Sequence, residues 1–237
     1  MTDLSAFPIT RRWVPAHPDR LQLYAFPTPN GVKISIMLEE IGLPYEAHLV
    51  DIGQNESKDP AFVSFNPNGR IPAILDPDGP GGQPLPLWES GAILVYLAEK
   101  SGRLLAADPA VRYETLQWVF FQMSGIGPMF GQLGYFHKHA GREIEGRRPL
   151  DRYLAETQRL LGVLDARLKG RSWLVGDGAG EYSIADIATL GWVRALETSY
   201  QAGEMIGLIN YPQVTSWLER CLARPAVQRG LLVPVRP

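Results

Sequence analysis

Cysteine is almost absent from this chain. Cys221 stands alone among 237 residues, which excludes an internal disulfide framework and fits a reducing compartment. It follows Trp217-Leu218 in an amphipathic stretch ended by Pro225, a setting that reads as inert packing rather than as a nucleophile. Long apolar runs are missing too. No stretch reaches about 18 residues, and residues 1–20 lack the basic-then-apolar order of a signal peptide. The sequence therefore predicts a cytoplasmic protein with no membrane segment. Charge of one sign is also lacking: 23 basic and 25 acidic residues leave a net charge of −2, so no global field draws in nucleic acid or an acidic surface. The Arg142 to Arg148 cluster reads as a solvated loop. The four histidines, His137 and His139 among them, have no cysteines or carboxylates at ligand spacing, and no metal is expected. Internal repeats and low-complexity tracts are absent.

What is present is enough apolar material, 45% of the residues, for a sizeable core, and the length suits two small domains. The stretch Asn68 to Leu97 organises the first. Ile71-Pro72-Ala73-Ile74-Leu75 is a short apolar run bounded by turn residues, and Leu85-Pro86-Leu87-Trp88 follows a Gly/Pro-rich turn, so the pair reads as two hairpin strands. After Trp88 the period changes to helical through Ile93, Leu94 and Leu97, which places Glu89 and Ser90 at a helix start. There the Ser90 hydroxyl, the free N–H groups and the helix dipole form a site for a small anion. Glu89 beside it can accept from an ammonium group. Adjacent anion and cation sites are what an α-amino-acid zwitterion requires, although Ser90 can equally be a plain helix cap. Pro72 makes the preceding bond a candidate cis peptide, which would leave the Ile71 N–H and C=O outside the ladder and open to an extended ligand.

Upstream, residues 1–20 are Pro-rich without periodicity and are expected to form an extended arm rather than a folded element. Leu21 to Phe26 alternates as a first strand. Thr28-Pro29-Asn30-Gly31 stops it, and Ile34, Met37, Leu38 and Ile41 make an amphipathic helix closed by Gly42. Thr28 and Asn30 then sit between the carboxyl end of a strand and a helix N-terminus, where open α/β sheets bind ligands, with a plain N-cap as the alternative for Asn30. Tyr45 to Val50 reads as a second strand, parallel to the first through a right-handed crossover, and Pro60 to Phe65 as a weak helix. This strand and helix order predicts a thioredoxin-like α/β domain over 21–101.

From Lys100 to Ala110 runs a Gly/Asp/Pro linker, and an all-helical bundle is expected over 110–237. The Ser124 to Gln132 stretch, rich in glycine and carrying Pro128, is expected to break or kink its first helix. Leu154, Thr157, Leu161, Leu164 and Leu168 give a long helix with Arg152 and Arg159 off its apolar stripe. Ser183 and Asp186 open a further helix as a carboxylate version of the capping box. Two more helices are expected at Pro212 to Arg224 and Ala226 to Leu231.

With Arg70-Ile71-Pro72, Glu89-Ser90 and Ser183-Ile184-Ala185-Asp186 in this order, the chain resembles cytosolic glutathione transferases from about Leu21 to Leu232. Thr28-Pro29-Asn30-Gly31, Trp88-Glu89-Ser90-Gly91-Ala92-Ile93-Leu94, Phe120-Phe121-Gln122, Gly127 to Gln132 and Asp151-Arg152-Tyr153 look like the bacterial Nu class and the fungal nitrogen-regulator-like proteins. The resemblance implies that Glu89 and Ser90 hold the γ-glutamyl zwitterion of glutathione, and that Ile71 before Pro72 pairs with the cysteinyl unit. It implies that Asn30 and Thr28 act catalytically on the sulfur and that Arg152 helps seat the ligand. Ser57 falls where the family often carries Gln or His for the glycine carboxylate, with Lys58 as a substitute. The usual first-strand Tyr, Ser or Cys is missing, as in Nu-class members, which look like disulfide reductases that bind two glutathiones or glutathione disulfide per site. The implied activity is a glutathione-dependent disulfide-bond oxidoreductase using ligand thiols, with weaker transferase or peroxidase activity. An orthodox transferase acting on an electrophile and a non-enzymatic regulator are the alternatives, the latter disfavoured by the shortness of the arm. The resemblance also implies a homodimer.

Overall fold

The protein is described here by a computed structural model covering residues 4–235. They form two compact units, one of residues 4–101 with 225–235 and one of residues 102–224.

In the first unit the order is α1 (Ile9–Arg12), β1 (Leu21–Ala25), α2 (Gly31–Ile41), β2 (Tyr45–Leu49), α3 (Pro60–Phe65), β3 (Ala73–Asp76), β4 (Leu85–Trp88) and α4 (Ser90–Ser101). The sheet order is β2-β1-β3-β4, with β1 parallel to β2 and antiparallel to β3, and β3 antiparallel to β4. β1 is central and every residue of it is buried. Alternation sends Leu23 and Ile74 to one face and Tyr24, Ala73 and Leu75 to the other, where they meet Phe62 and Phe65 of α3. This is the thioredoxin-like α/β architecture expected from the sequence, and Gly42 closes α2 in the left-handed conformation, φ 70°.

The arm departs from expectation. Residues 4–20 are not simply extended: Ile9 is fully buried in α1, Leu4 is buried with it, and Thr10 Oγ1 donates to the Leu4 and Phe7 carbonyls at 3.1 and 2.9 Å. Trp13 donates from Nε1 to the Leu49 carbonyl at 2.9 Å and lies edge-on to Tyr24 and Phe62. The reason is non-local. The Tyr24 face of the sheet needs an apolar cover, and Leu4, Phe7, Ile9 and Trp13 supply it.

In the second unit come α5 (Pro109–Phe121), α6 (Gly127–Lys138), α7 (Arg148–Leu168), α8 (Ile184–Thr198), α9 (Gly203–Ile206) and α10 (Pro212–Leu222). The Gly-rich stretch after α5 does not interrupt the chain's helical course, because Gln122–Ile126 form a π-helical turn that runs into α6. α8 is the axis of this unit, buried from Ile184 to Gly191. The expected capping box is present: the Ala185 N–H donates to Ser183 Oγ at 3.2 Å, and the Ser183 N–H to Asp186 Oδ2 at 3.0 Å. Asp186 also accepts from Trp217 Nε1 at 2.8 Å and from the Leu174 N–H at 3.2 Å. One buried carboxylate thus ties α8 to α10 and to the loop before it.

The last helix, α11 (Pro225–Gly230), belongs to the first unit. Ser35 Oγ of α2 donates to the Gly230 carbonyl at 2.7 Å, and Arg229 Nε reaches Glu39 Oε2 at 2.6 Å. Gly230 is glycine because a Cβ there would lie 2.6 Å from the Ile36 backbone. Among the described residues no helix is long and apolar enough to cross a membrane, and no cluster of His, Cys, Asp and Glu could hold a metal.

Candidate functional site

Three chain turns of the first unit meet at one cleft. The first joins β1 to α2. A Cβ on Gly31 would lie 1.9 Å from the Phe26 carbonyl oxygen, so only glycine lets the helix start this close to the strand end. Thr28 Oγ1 accepts the Gly31 N–H at 3.2 Å, and its own hydroxyl points to the Phe26 carbonyl at 3.5 Å. Asn30 holds the N-cap position of α2, yet its side chain makes no capping bond. Thr28 therefore performs the local capping, and Asn30, half-buried, lines the cleft.

The second turn precedes β3. The Ile71–Pro72 bond is cis, as expected. The ladder begins at Ala73, so the Ile71 N–H and C=O lie just before it. The buried Asn66 fixes the loop ahead: its Nδ2 donates to the Arg70 carbonyl at 2.6 Å and its Oδ1 accepts the Asn68 N–H at 3.0 Å. Lys58 Nζ donates to the Gly69 carbonyl at 2.8 Å, which commits that ammonium partly to the loop. Ser57 beside it is buried.

The third turn joins β4 to α4. Glu89 has φ 72°, a left-handed conformation rare for a residue with a side chain, and its carbonyl accepts the Ile93 N–H at 2.9 Å to open the helix. Glu89 is exposed, whereas Ser90, the first residue of α4, is only 3% exposed. Beneath Ser90 lies Lys33 of α2, fully buried, with Nζ 3.2 Å from Ser90 Oγ. Burial pulls the Lys33 ammonium down to about 7, and the Glu89 carboxylate acts in the opposite direction.

The cleft encloses about 560 Å³ and is lined by Thr28, Asn30, Ser57, Ile71, Pro72, Glu89 and Ser90, all read from the sequence as site residues, together with Lys58. It also takes in Ile52, Asn55, Asn66, Asn68 and Arg70, which sequence reasoning did not single out as ligand contacts. Arg152 belongs to the second unit, exposed near the start of α7, and is not among the residues that line this cleft. Lys33 was missed as well. No sequence signal marked it, since it lies off the Ile34, Met37, Leu38 stripe, whereas in the structure Gly31 to Leu38 are all buried and leave the lysine no path to water.

Chemically, Ser90 and the N-terminus of α4 offer donors and a positive dipole end to a carboxylate, and Glu89 offers acceptors to an ammonium. Ile71 offers a backbone donor and acceptor to an extended peptide, and Asn30 offers an amide at the α2 N-terminus.

Comparison with known proteins agrees with this geometry. Residues 19–99 match the glutathione S-transferase N-terminal domain and residues 129–225 the glutathione S-transferase C-terminal domain. The chain is 46% identical over 213 residues to the disulfide-bond oxidoreductase YfcG of Escherichia coli, covering 90% of this chain and 94% of that protein. It is 39% identical over 235 residues to the disulfide-bond oxidoreductase YghU of the same organism, covering 95% and 79%. Among solved structures, a glutathione transferase from Burkholderia graminis with two glutathione molecules bound per subunit shares 63% identity at TM-score 0.97, covering 100% of this chain and 98% of that one. One from Pseudomonas putida with one glutathione disulfide bound per subunit shares 62% at TM-score 0.95, covering 98% and 100%. The chain is an enzyme of the glutathione S-transferase family.

Proposed function

We propose that the cleft binds glutathione, as two molecules or as the disulfide, and that the protein is a glutathione-dependent disulfide-bond oxidoreductase whose reacting thiols belong to the ligand. The observation that carries this reading is the state of the one cysteine: Cys221 is fully buried in α10, so the chain itself offers no thiol for exchange. Relatives described as disulfide-bond oxidoreductases, and structures holding two glutathiones or one glutathione disulfide, support it.

In this reading Glu89 takes the γ-glutamyl ammonium, and Ser90 with the α4 N-terminus takes the carboxylate. The Ile71 backbone pairs with the cysteinyl unit, and Ser57 or Lys58 meets the glycine carboxylate. One glutathione loses its thiol proton, attacks the substrate disulfide and expels a thiolate. The second then attacks the mixed disulfide, releasing the other substrate thiol and leaving glutathione disulfide. Two thiols are oxidised and one disulfide is reduced, so electrons balance. Asn30 stabilises the thiolate that attacks, since a donor at a helix N-terminus favours the charged sulfur. Thr28 contributes less, because its hydroxyl is engaged with Phe26 and Gly31. Arg152 is carried here as a ligand-seating residue on the strength of the family pattern alone.

We also infer a cytoplasmic homodimer, in keeping with the family and with the exposed Tyr113 and Phe120 of α5. Assay of purified protein with glutathione and a small disulfide tests the main reading. Turnover of the disulfide outrunning conjugation of a general electrophile supports it. Conjugation without disulfide turnover would replace it with an orthodox transferase.

A further inference from the structure

The segment between β2 and α3 lines the cleft with Ile52, Asn55, Ser57 and Lys58, and it consists of two short 3₁₀ turns. Its own bonds close it on itself: the Glu56 N–H donates to the Asp51 carbonyl at 3.0 Å, and the Asp51 N–H donates to Glu56 Oε2 at 2.7 Å. The arm takes the other oxygen. Arg12 Nη2 donates to Glu56 Oε1 at 2.8 Å, and Arg12 Nε lies 3.6 Å from Asp59 Oδ2. Arg12 is itself fixed, since it ends α1 and its guanidinium lies 5.1 Å from the ring centroid of Trp13, which donates to the Leu49 carbonyl. One guanidinium thus reaches both acidic residues that flank Ser57 and Lys58. We propose that Arg12 is a positioning residue for the carboxylate at the glycine end of the ligand, holding the Ser57-Lys58 turn through Glu56 and offsetting the negative charge on either side of it. This deepens the glutathione reading and rests on its assignment of Ser57 or Lys58 to that carboxylate.

Stability alone gives the pair little purpose. The Arg12 and Glu56 side chains are 48% and 25% exposed, and ion pairs this open to solvent add little to folding. The arm has other anchors: Leu4, Ile9 and Trp13 pack on the sheet, and Glu46 accepts the Ala16 and His17 N–H groups at 2.8 and 2.7 Å. At the cleft the pair matters more. Asn55, left-handed at φ 57°, bends the chain just before Glu56, so a swing of Glu56 carries Ser57 with it. Lys58 Nζ donates to the Gly69 carbonyl at 2.8 Å and ties one side of the turn to the loop before β3, while Arg12 ties the other side to the arm. Fastened at both ends, Ser57 and Lys58 can meet a carboxylate without the entropic cost of ordering the turn on binding. Charge acts in the same direction. Without Arg12, the segment would carry Asp51, Glu56 and Asp59 against Lys58 alone, and an arriving anion would be repelled.

The test uses the whole protein, S-methylglutathione, and the analogue whose glycine carboxylate is a carboxamide, titrated by calorimetry at about pH 7, where the two ligands differ by that one charge. Wild type is expected to prefer the carboxylate by about 5- to 30-fold. Arg12→Met should narrow that preference by about 3- to 5-fold while binding the carboxamide within about 2-fold of wild type. Ligand-free, it should melt within roughly 2 °C of wild type. Arg12→Lys keeps the charge but not the planar fork that spans two carboxylates, and its preference should fall between the other two. A merely structural arginine would give another pattern: Arg12→Met would melt lower and lose affinity for both ligands alike, and that result overturns the proposal. A preference in Arg12→Met equal to that of wild type would also overturn it while leaving glutathione binding in place. A wild type indifferent to the carboxamide would remove the Ser57 and Lys58 assignment and the proposal with it. No binding of S-methylglutathione by wild type would overturn both the proposal and the glutathione reading.

Discussion

Glu89 should trade stability for binding, and two substitutions separate the two effects. Its φ of 72° places a side-chain-bearing residue in the left-handed region, which costs roughly 1–2 kcal/mol. Glycine removes that cost but adds about 0.5–1 kcal/mol of unfolded-state entropy. Glutamine keeps the strain and removes the charge. Both variants lose the Glu89 charge near Lys33, so that effect cancels between them. Glu89→Gly should therefore be more stable than Glu89→Gln by about 0.5–1 kcal/mol, or roughly 1–4 °C in a chain of this size. Both should bind glutathione more weakly. A charge-assisted hydrogen bond contributes about 1.5–3 kcal/mol, but Glu89 is exposed in the ligand-free protein, so solvent screening puts the loss near the lower end, about 5- to 30-fold in Kd. Thermal unfolding followed by circular dichroism and calorimetric titration with glutathione measure the two quantities on the same samples. A Glu89→Gly protein that melts below Glu89→Gln would refute the backbone argument. One that binds glutathione like wild type would refute the ammonium site.

Asn30→Ala should lower disulfide turnover by about 5- to 150-fold, the effect of losing one oriented donor worth about 1–3 kcal/mol, whereas Cys221→Ser should leave turnover within a few-fold; the opposite pattern in one assay would demand a protein-thiol cycle. Ser183→Ala removes the cap of α8 and should cost about 1 kcal/mol or more of stability without changing the KM for glutathione, so lost turnover at an unchanged melting temperature would count against a structural role. Lys33 sits at about 7 in the folded chain against an ordinary 10.5. Above pH 7 the folded chain therefore releases a proton that the unfolded chain keeps, and stability rises with pH. Wild type should gain about 2 kcal/mol relative to Lys33→Met between about pH 7 and 9 in urea unfolding, and parallel pH profiles would contradict it. Light scattering at micromolar concentration should return a dimer mass, and a monomer would remove the homodimer inference.

Where residues act through their neighbours in sequence, the chain could be read directly. The hairpin at Ala73 to Trp88, the turn at Thr28 to Gly31 and the box at Ser183 to Asp186 are each written in adjacent residues. The cleft residues followed from these turns, because β1 to α2, the entry to β3, and β4 to α4 all deliver their polar groups to one end of the sheet. What stayed hidden depends on contacts across the chain. Lys33 lies off the Ile34, Met37, Leu38 stripe and so reads as solvent-facing, but α11 arrives from nearly 200 residues away and helps leave this helix without a wet face. The arm read as unstructured because Leu4, Ile9 and Trp13 have no period, and only the Tyr24 face of the sheet gives them a purpose. Asn55, Asn66, Asn68 and Arg70 look like ordinary loop polarity until the loop is seen to fold along the cleft.

The return of α11 to the sheet unit has a consequence for how the molecule is made. Ser35 and the backbone at Ile36 receive their partner from Gly230, which is synthesised only after the whole helical unit of residues 102–224. Until then the outer side of α2, with its run of apolar residues and the buried Lys33, has no cover, however early the strands beside it have paired. The unit that carries the cleft is thus completed only after the helical unit has been synthesised. A nascent chain stalled anywhere short of Pro225 would present that bare helix face to the cell, and chaperone crosslinking to α2 should persist in stalled chains up to that point and vanish once residues 225–230 emerge.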